Sequence, residues 1–169
     1  MGIFDFLKRE KIINTEINIL SSDFKKNDLL NVEILKSENI IIEFKESDLH
    51  SSILIAKFRG KIPDGSLGTK DSNYIRQQIG LCLINSYFCS VLLDLTDLTY
   101  NWGDSIVSAF EIINQISYSD TKIDNAFVLS DKNKYGFSSL FCFDIENPKD
   151  FIFYDFNIAL EYLINRTEK

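Results

Sequence analysis

From residue 53 onward, short apolar runs alternate with apolar stripes at helical spacing, and this alternation restricts the fold more than any other feature of the chain. Ile53-Leu54-Ile55-Ala56-Lys57-Phe58 is nearly continuous in apolar residues, as a strand covered on both faces would be. Gly60 to Thr69 holds Pro63-Asp64-Gly65 and Gly68, which is turn chemistry. From Asp71 the period changes: Ile75, Ile79, Cys82, Leu83 and Ser86 fall on one helical face, with Asp71 or Ser72 expected at the N-cap. Gly80 inside that helix is expected to mark close packing, since Gly there costs about 1 kcal/mol against Ala. Ser90–Leu95 reads as the next buried strand, and Asp104 or Ser105 opens a helix with Ile106, Val107, Phe110, Ile113 and Ile116 as its core stripe. Asp124–Ser130 is a further strand, Lys134–Phe143 holds a short helix with Phe137, Leu140 and Phe141, and Phe151–Tyr154 is a strand. Asp155 then caps a last helix whose Phe156, Ala159, Leu160 and Leu163 lie on one face. Strands alternating with helices imply right-handed crossovers. The fold class is therefore α/β, with a mainly parallel or mixed sheet flanked by helices.

Residues 1–50 read differently. Ile3, Phe4, Phe6 and Leu7 suit a short amphipathic helix packed against protein, with a membrane surface as the other option. The apolar run is too short for a signal peptide and basic residues follow it. Gly2 invites myristoylation, but the position that wants Ser or Thr holds Phe6. Thr15–Leu20 and Leu29–Leu35 alternate polar and apolar residues, Lys36-Ser37-Glu38-Asn39 is a polar break, and Ile40–Phe44 is again strand-like. This β-rich extension either lengthens the main sheet or covers it. The expected division is 1–50 for the extension and 51–169 for the α/β domain.

Composition removes several functions. No stretch is long and apolar enough to span a membrane. A net charge of −7 argues against nucleic-acid binding, which relies on Lys and Arg against phosphates. The single His, His50, and three unpaired Cys (Cys82, Cys89 and Cys142) give little material for a catalytic triad or a zinc site. All three Cys lie among apolar neighbours, so buried free thiols in a reducing, cytoplasmic setting are expected. Gly65-Ser66-Leu67-Gly68-Thr69-Lys70 lacks the ending and spacing of a phosphate loop. No cofactor is implied.

Two short motifs carry a resemblance. Ile55-Ala56-Lys57-Phe58-Arg59-Gly60-Lys61-Ile62 is similar to the strand and corner of a STAS domain, the fold of anti-sigma-factor antagonists. Val91-Leu92-Leu93-Asp94-Leu95-Thr96 resembles the family's next strand, and Asp104-Ser105 resembles the Asp-Ser pair that opens the following helix. The resemblance spans residues 51–169 and leaves the first part of the chain uncovered. It implies a STAS-like fold, a protein partner and a phosphorylatable serine at Ser105.

Asp94 to Ser105 is also the most distinctive segment by its residues alone. It carries Asp94, Asp97 and Asp104, the hydroxyl of Ser105 and the single Trp, Trp102. It runs from the end of an inner strand to a helix start, where ligands of open α/β sheets sit. A phosphate on Ser105 would gain from the helix dipole. The three aspartates are weak candidates for a hard cation. The bland alternative makes Asp104 an N-cap, gives Asp94 a loop hydrogen bond and packs Trp102 on the sheet edge. Tyr74, Tyr87, Tyr100, Tyr118, Tyr135 and Tyr154 fall near element ends, where amphipathic rings can meet a partner. The expected function is non-enzymatic: a bacterial protein that binds another protein through Asp97, Tyr100, Trp102, Asp104 and Ser105, homo-oligomers being possible. The alternatives are an immunity or antitoxin-type protein whose acidity opposes a basic toxin, and a small metal enzyme using Asp94, Asp97 and Asp104.

Overall fold

The computed structural model describes residues 35–49, 52–84, 88–116 and 122–167. The helix expected near residues 3–7, the strand at 15–20, all but the last residue of the strand at 29–35, His50, Tyr87 and Tyr118 lie outside them. Residues 36–169 form one compact unit. Its strands are β1 (Ile40–Glu46), β2 (Ile53–Lys61), β3 (Ser90–Thr99), β4 (Asp124–Val128) and β5 (Ile152–Phe153). Its helices are α1 (Thr69–Ile84), α2 (Ser105–Gln115), α3 (Lys134–Phe141) and α4 (Phe156–Thr167). Among the described residues the strands make one sheet in the order β1-β2-β3-β4-β5. β1 runs antiparallel to β2, and every other neighbour is parallel. The mixed α/β architecture read from the alternation is the one found. The strand at 40–46 lengthens the main sheet, which therefore begins ahead of residue 51.

The two sheet faces have different covers. Leu54, Ala56 and Phe58 of β2, Leu93 and Leu95 of β3 and Phe127 of β4 point to one face, where they meet Ile75, Ile79 and Leu83 of α1, Phe110 and Ile113 of α2 and Phe137 of α3. Gly80 lets α1 approach Ile112 of α2, to which an added Cβ would sit 3.4 Å away. Rings of Phe110, Phe127, Phe137 and Phe141 interlock at centroid spacings of 5.2 to 6.3 Å, close enough to add to simple area burial. On the opposite face Ile53, Ile55, Leu92, Ala126 and Val128 pack against Ala159, Leu160 and Leu163 of α4, with Phe153, Phe156, Tyr162 and Ile164 around them. Asp155 begins α4 as the sequence predicts, its Oδ1 accepting from the Asn157 and Ile158 N–H groups at 2.8 and 3.1 Å.

Two local readings change. Asp71 and Ser72 do not cap α1, which begins at Thr69. Asp71 is instead buried and accepts from Ser37 Oγ at 2.5 Å and Asn39 Nδ2 at 3.0 Å. The early helix start comes from the Gly65–Gly68 3₁₀ turn, which runs directly into it. Cys82 alone is a buried thiol, pushed up to about 12 by that burial. Cys89 and Cys142 are exposed, because they lie just outside regular elements, Cys142 in the left-handed conformation that ends α3.

Candidate functional site

The C-terminal half of β3 departs from strict alternation. Lys57 lies opposite Asp94, yet Arg59 lies opposite Asp97, so β3 spends one residue more than β2 over this stretch. Such a bulge shifts the parity of every side chain beyond it. Leu95 and Leu98 both turn into the helix-covered core, and Asp97 emerges on the same face as Asp94. Asn133, 1% exposed, holds the bulge shut. Its Nδ2 donates to the carbonyls of Leu95 at 2.6 Å and Leu98 at 2.8 Å, and its Oδ1 accepts from Ser130 N–H at 3.0 Å.

The bulge gathers charge. Lys57 Nζ lies 3.6 Å from Asp94 and 3.4 Å from Asp97, and Lys132 Nζ lies 3.2 Å from Asp97. Lys132, then Lys57, holds the Asp97 carboxyl below the usual carboxylate range. Asp94 also accepts from Thr96 N–H and Thr96 Oγ1 at 3.1 and 2.6 Å. The structure thus joins Asp94 and Asp97 around the Lys57 ammonium. Asp104 lies apart, beside Tyr100 and Asp64. Among the described residues no group of His, Cys, Asp or Glu is arranged to hold a metal.

Beyond β3 the chain turns back over the end of the sheet. Tyr100, expected at the surface, is 2% exposed. Its ring lies 4.8 Å from that of Phe137 and its hydroxyl donates to the Gly103 carbonyl. Burial, with the nearby Asp104 and Asp64 carboxylates, pushes the phenol up to about 12. Packing is this tight because Gly136 leaves room: a Cβ there would stand 2.6 Å from the Asn101 carbonyl oxygen. Trp102, by contrast, is 62% exposed. Its six-membered ring lies beside Gly65, whose N–H donates to the Trp102 carbonyl at 3.1 Å. Gly65 has φ +60°, and a Cβ would come 2.7 Å from the indole Cη2. The indole therefore approaches bare backbone at Gly65 while most of its surface meets solvent. Asn101 Nδ2 ties this loop to Asp64 at 3.2 Å.

Asp104 stands at the N-cap position of α2 without a side-chain cap bond, so its exposed carboxylate is not spent on the helix. Ser105, half-buried at the first helical position, shares a 3.0 Å hydrogen bond between its Oγ and that of buried Ser72. Leu67 and Tyr135, 78% and 67% exposed, add apolar surface at the 3₁₀ turn and the start of α3. A hollow of about 460 Å³ opens past the ends of β3–β5, lined by Thr96, Ser130, Asp131, Lys134, Glu146 and Tyr154.

Sequence reasoning singled out the acidic segment but missed Lys57, Lys132 and Asn133. A signal for one of them was present: Lys57 is the lone charge within the apolar run 53–58, as Asp94 is within 91–95. A buried carboxylate such as Asp94 needs a partner, and half-buried Lys57 lies opposite it in the parallel pair.

No family model matches the chain, and no curated protein matches it. Among solved structures, an anti-sigma factor antagonist from Mycobacterium paratuberculosis superposes with a TM-score of 0.52 at 14% identity, over 75% of this chain and 96% of that one. At that identity the likeness establishes the fold: over three quarters of its length the chain has the α/β architecture of an anti-sigma factor antagonist, the STAS fold. No helix among the described residues is long and apolar enough to cross a membrane.

Proposed function

We propose that this chain is a non-catalytic, cytoplasmic regulatory protein that binds another protein through the end of the sheet bearing Trp102. The observation that carries this reading is an indole that is 62% exposed and yet closely packed against Gly65. Exposed Trp is enriched among interface anchors, because it loses little freedom on binding and hides a large area. Asp64 and Asp104 flank it without an ion pair among the described residues, which favours a partner with basic groups around an apolar pocket. The similarity to an anti-sigma factor antagonist supports a regulatory protein as that partner. Tyr100 supports the loop from beneath rather than touching the partner.

Ser105 is the switch in this reading. A phosphate would replace its bond to Ser72 and add about −1.5 to −2 charges beside Asp104, enough to repel an acidic partner surface or recruit a basic one.

Site-specific photocrosslinking in the native host tests the reading. A photoreactive residue at position 102 is expected to capture one defined protein, while the same probe at Glu161 on α4 captures none. Equal labelling from both positions, or none from 102, overturns it. The captured protein also separates a regulatory partner from a basic toxin. Intact-mass analysis of the native protein reads the switch, and the absence of a phosphorylated Ser105 in all growth conditions removes it.

A further inference from the structure

Beyond the carboxyl ends of β4 and β5 the chain leaves the sheet in two directions. The two strands are parallel neighbours. β4 runs into α3, whose Phe137 joins the core of the first face, and β5 runs into α4, which covers the second. Where adjacent connections part to opposite sides, an open α/β sheet leaves a crevice past its strand ends, and ligands of such folds bind there. The hollow of about 460 Å³ occupies this place, with Leu129 and Asp131 following β4 and Tyr154 following β5. Sites for small molecules measure about 300–1,000 Å³. All the residues that line it are described ones.

Its charges are of both signs and are incompletely used. Lys134, at the start of α3, is the only cation among the described residues that line it. Its ammonium gives one N–H to Asp131 at 2.6 Å, and the other two have no hydrogen-bond partner among the described residues. Glu146 belongs to the Asp144–Asn147 turn, which Tyr154 steadies by donating from its hydroxyl to the Ile145 carbonyl at 3.0 Å. The Glu146 carboxylate has no hydrogen bond or ion pair among the described residues. Burial pushes the Tyr154 phenol up, and the Lys134 ammonium and the Glu146 carboxylate both lie near enough to act on it. The two opposite charges therefore meet at one place, beside apolar wall from Leu129 and Ile145.

We propose that this hollow binds a free amino acid, with the ligand's carboxylate on the Lys134 ammonium and its ammonium on the Glu146 carboxylate. A zwitterion answers both groups with charge-assisted hydrogen bonds. A ligand with a carboxylate alone would meet Glu146 and Asp131 unfavourably, and one with an amine alone would leave the spare Lys134 donors desolvated and unpaired. Asp131, its side chain 92% exposed, holds Lys134 through a surface ion pair that a ligand carboxylate can share at little cost.

Two-dimensional NMR of the full, isotope-labelled chain tests this, with single amino acids added to millimolar concentration. At least one is expected to shift the amide signals of Asp131, Glu146 and Tyr154 in a saturable way. Its carboxamide, which lacks the carboxylate, and its N-acetyl form, which lacks the ammonium, should each bind about tenfold or more weakly. Glu146→Gln, at an exposed position, should weaken the parent amino acid by a similar factor yet bind the N-acetyl form as the wild type does, because that form has no ammonium to lose. If no amino acid moves these signals, the proposal falls. Equal binding of the parent and either blocked form, or of the parent by Glu146→Gln and by the wild type, overturns it as well.

Discussion

The two faces of the sheet are built from the same strands and yet obey different rules. On the face under α1, α2 and α3, β2 and β3 contribute Phe58, Leu93, Leu95 and Leu98, all fully buried. On the other, α4 covers Ile55, Leu92 and Val128, and beyond it Lys57, Asp94, Asp97, Arg59 and Glu43 form a row of ion pairs across β1, β2 and β3. The first face holds the fold together through apolar burial, which is sensitive to every lost methylene. The second face holds its residues in register while leaving them in contact with water, where ion pairs add little stability. The bulge in β3 is where one set of rules hands over to the other.

Substitutions can break this contrast in order of decreasing effect. Phe137→Ala on the sealed face should cost about 3–5 kcal/mol, seen as a large drop in the urea midpoint. A loss below about 1 kcal/mol would mean that α3 is not part of the cooperative core. Asn133→Leu keeps the volume but strands the Leu95 and Leu98 carbonyls, and should cost roughly 2–3 kcal/mol. The same variant should broaden the amide signals of Thr96 and Asp97, and unchanged signals would deny Asn133 its clamping role. Lys57→Met leaves buried Asp94 with Thr96 as its remaining donor, for an expected loss of about 1 kcal/mol. The smallest effect is a pH dependence. Asp97 has a folded pKa below its unfolded value, so its stabilisation is present above the ordinary carboxylate range and fades as pH falls through the folded value. NMR titration of its carboxyl should show the lowered midpoint, with a return towards about 3.9 in a Lys57→Met/Lys132→Met double variant. An unchanged midpoint there would assign the shift to another cause.

Much of the architecture was legible because period carries topology. The run at 53–58 and the helical stripe from Ile75 to Leu83 are unambiguous, and each sits where the alternation places it. The strand at 40–46 was legible as a strand, with joining the main sheet as one of two options, since pairing between β1 and β2 depends on a register that single-strand patterns do not encode. The candidate site was harder. Strict alternation through Asp94-Leu95-Thr96-Asp97 would part the two aspartates, and only the bulge reunites them. Its cause, Asn133, is remote in sequence and looks like an ordinary loop residue. Tyr100 was misplaced for a related reason: proximity to a strand end does not tell whether a ring faces solvent or folds under the loop. Trp102 was singled out as the only Trp, but its platform at Gly65 lies in a segment that reads merely as a turn.

The Asn133 clamp bears on the order in which the molecule assembles. The carbonyls it satisfies lie 35 and 38 residues earlier in the chain, so during synthesis the far half of β3 must wait for β4 and the start of α3 before its bulge can lock. The near half, Ser90 to Asp94, needs only β2 to begin pairing. β3 is thus one strand in space but two in time. The loop that presents Trp102 hangs from the later half, so its attachment to the sheet is complete only once Asn133 is in place.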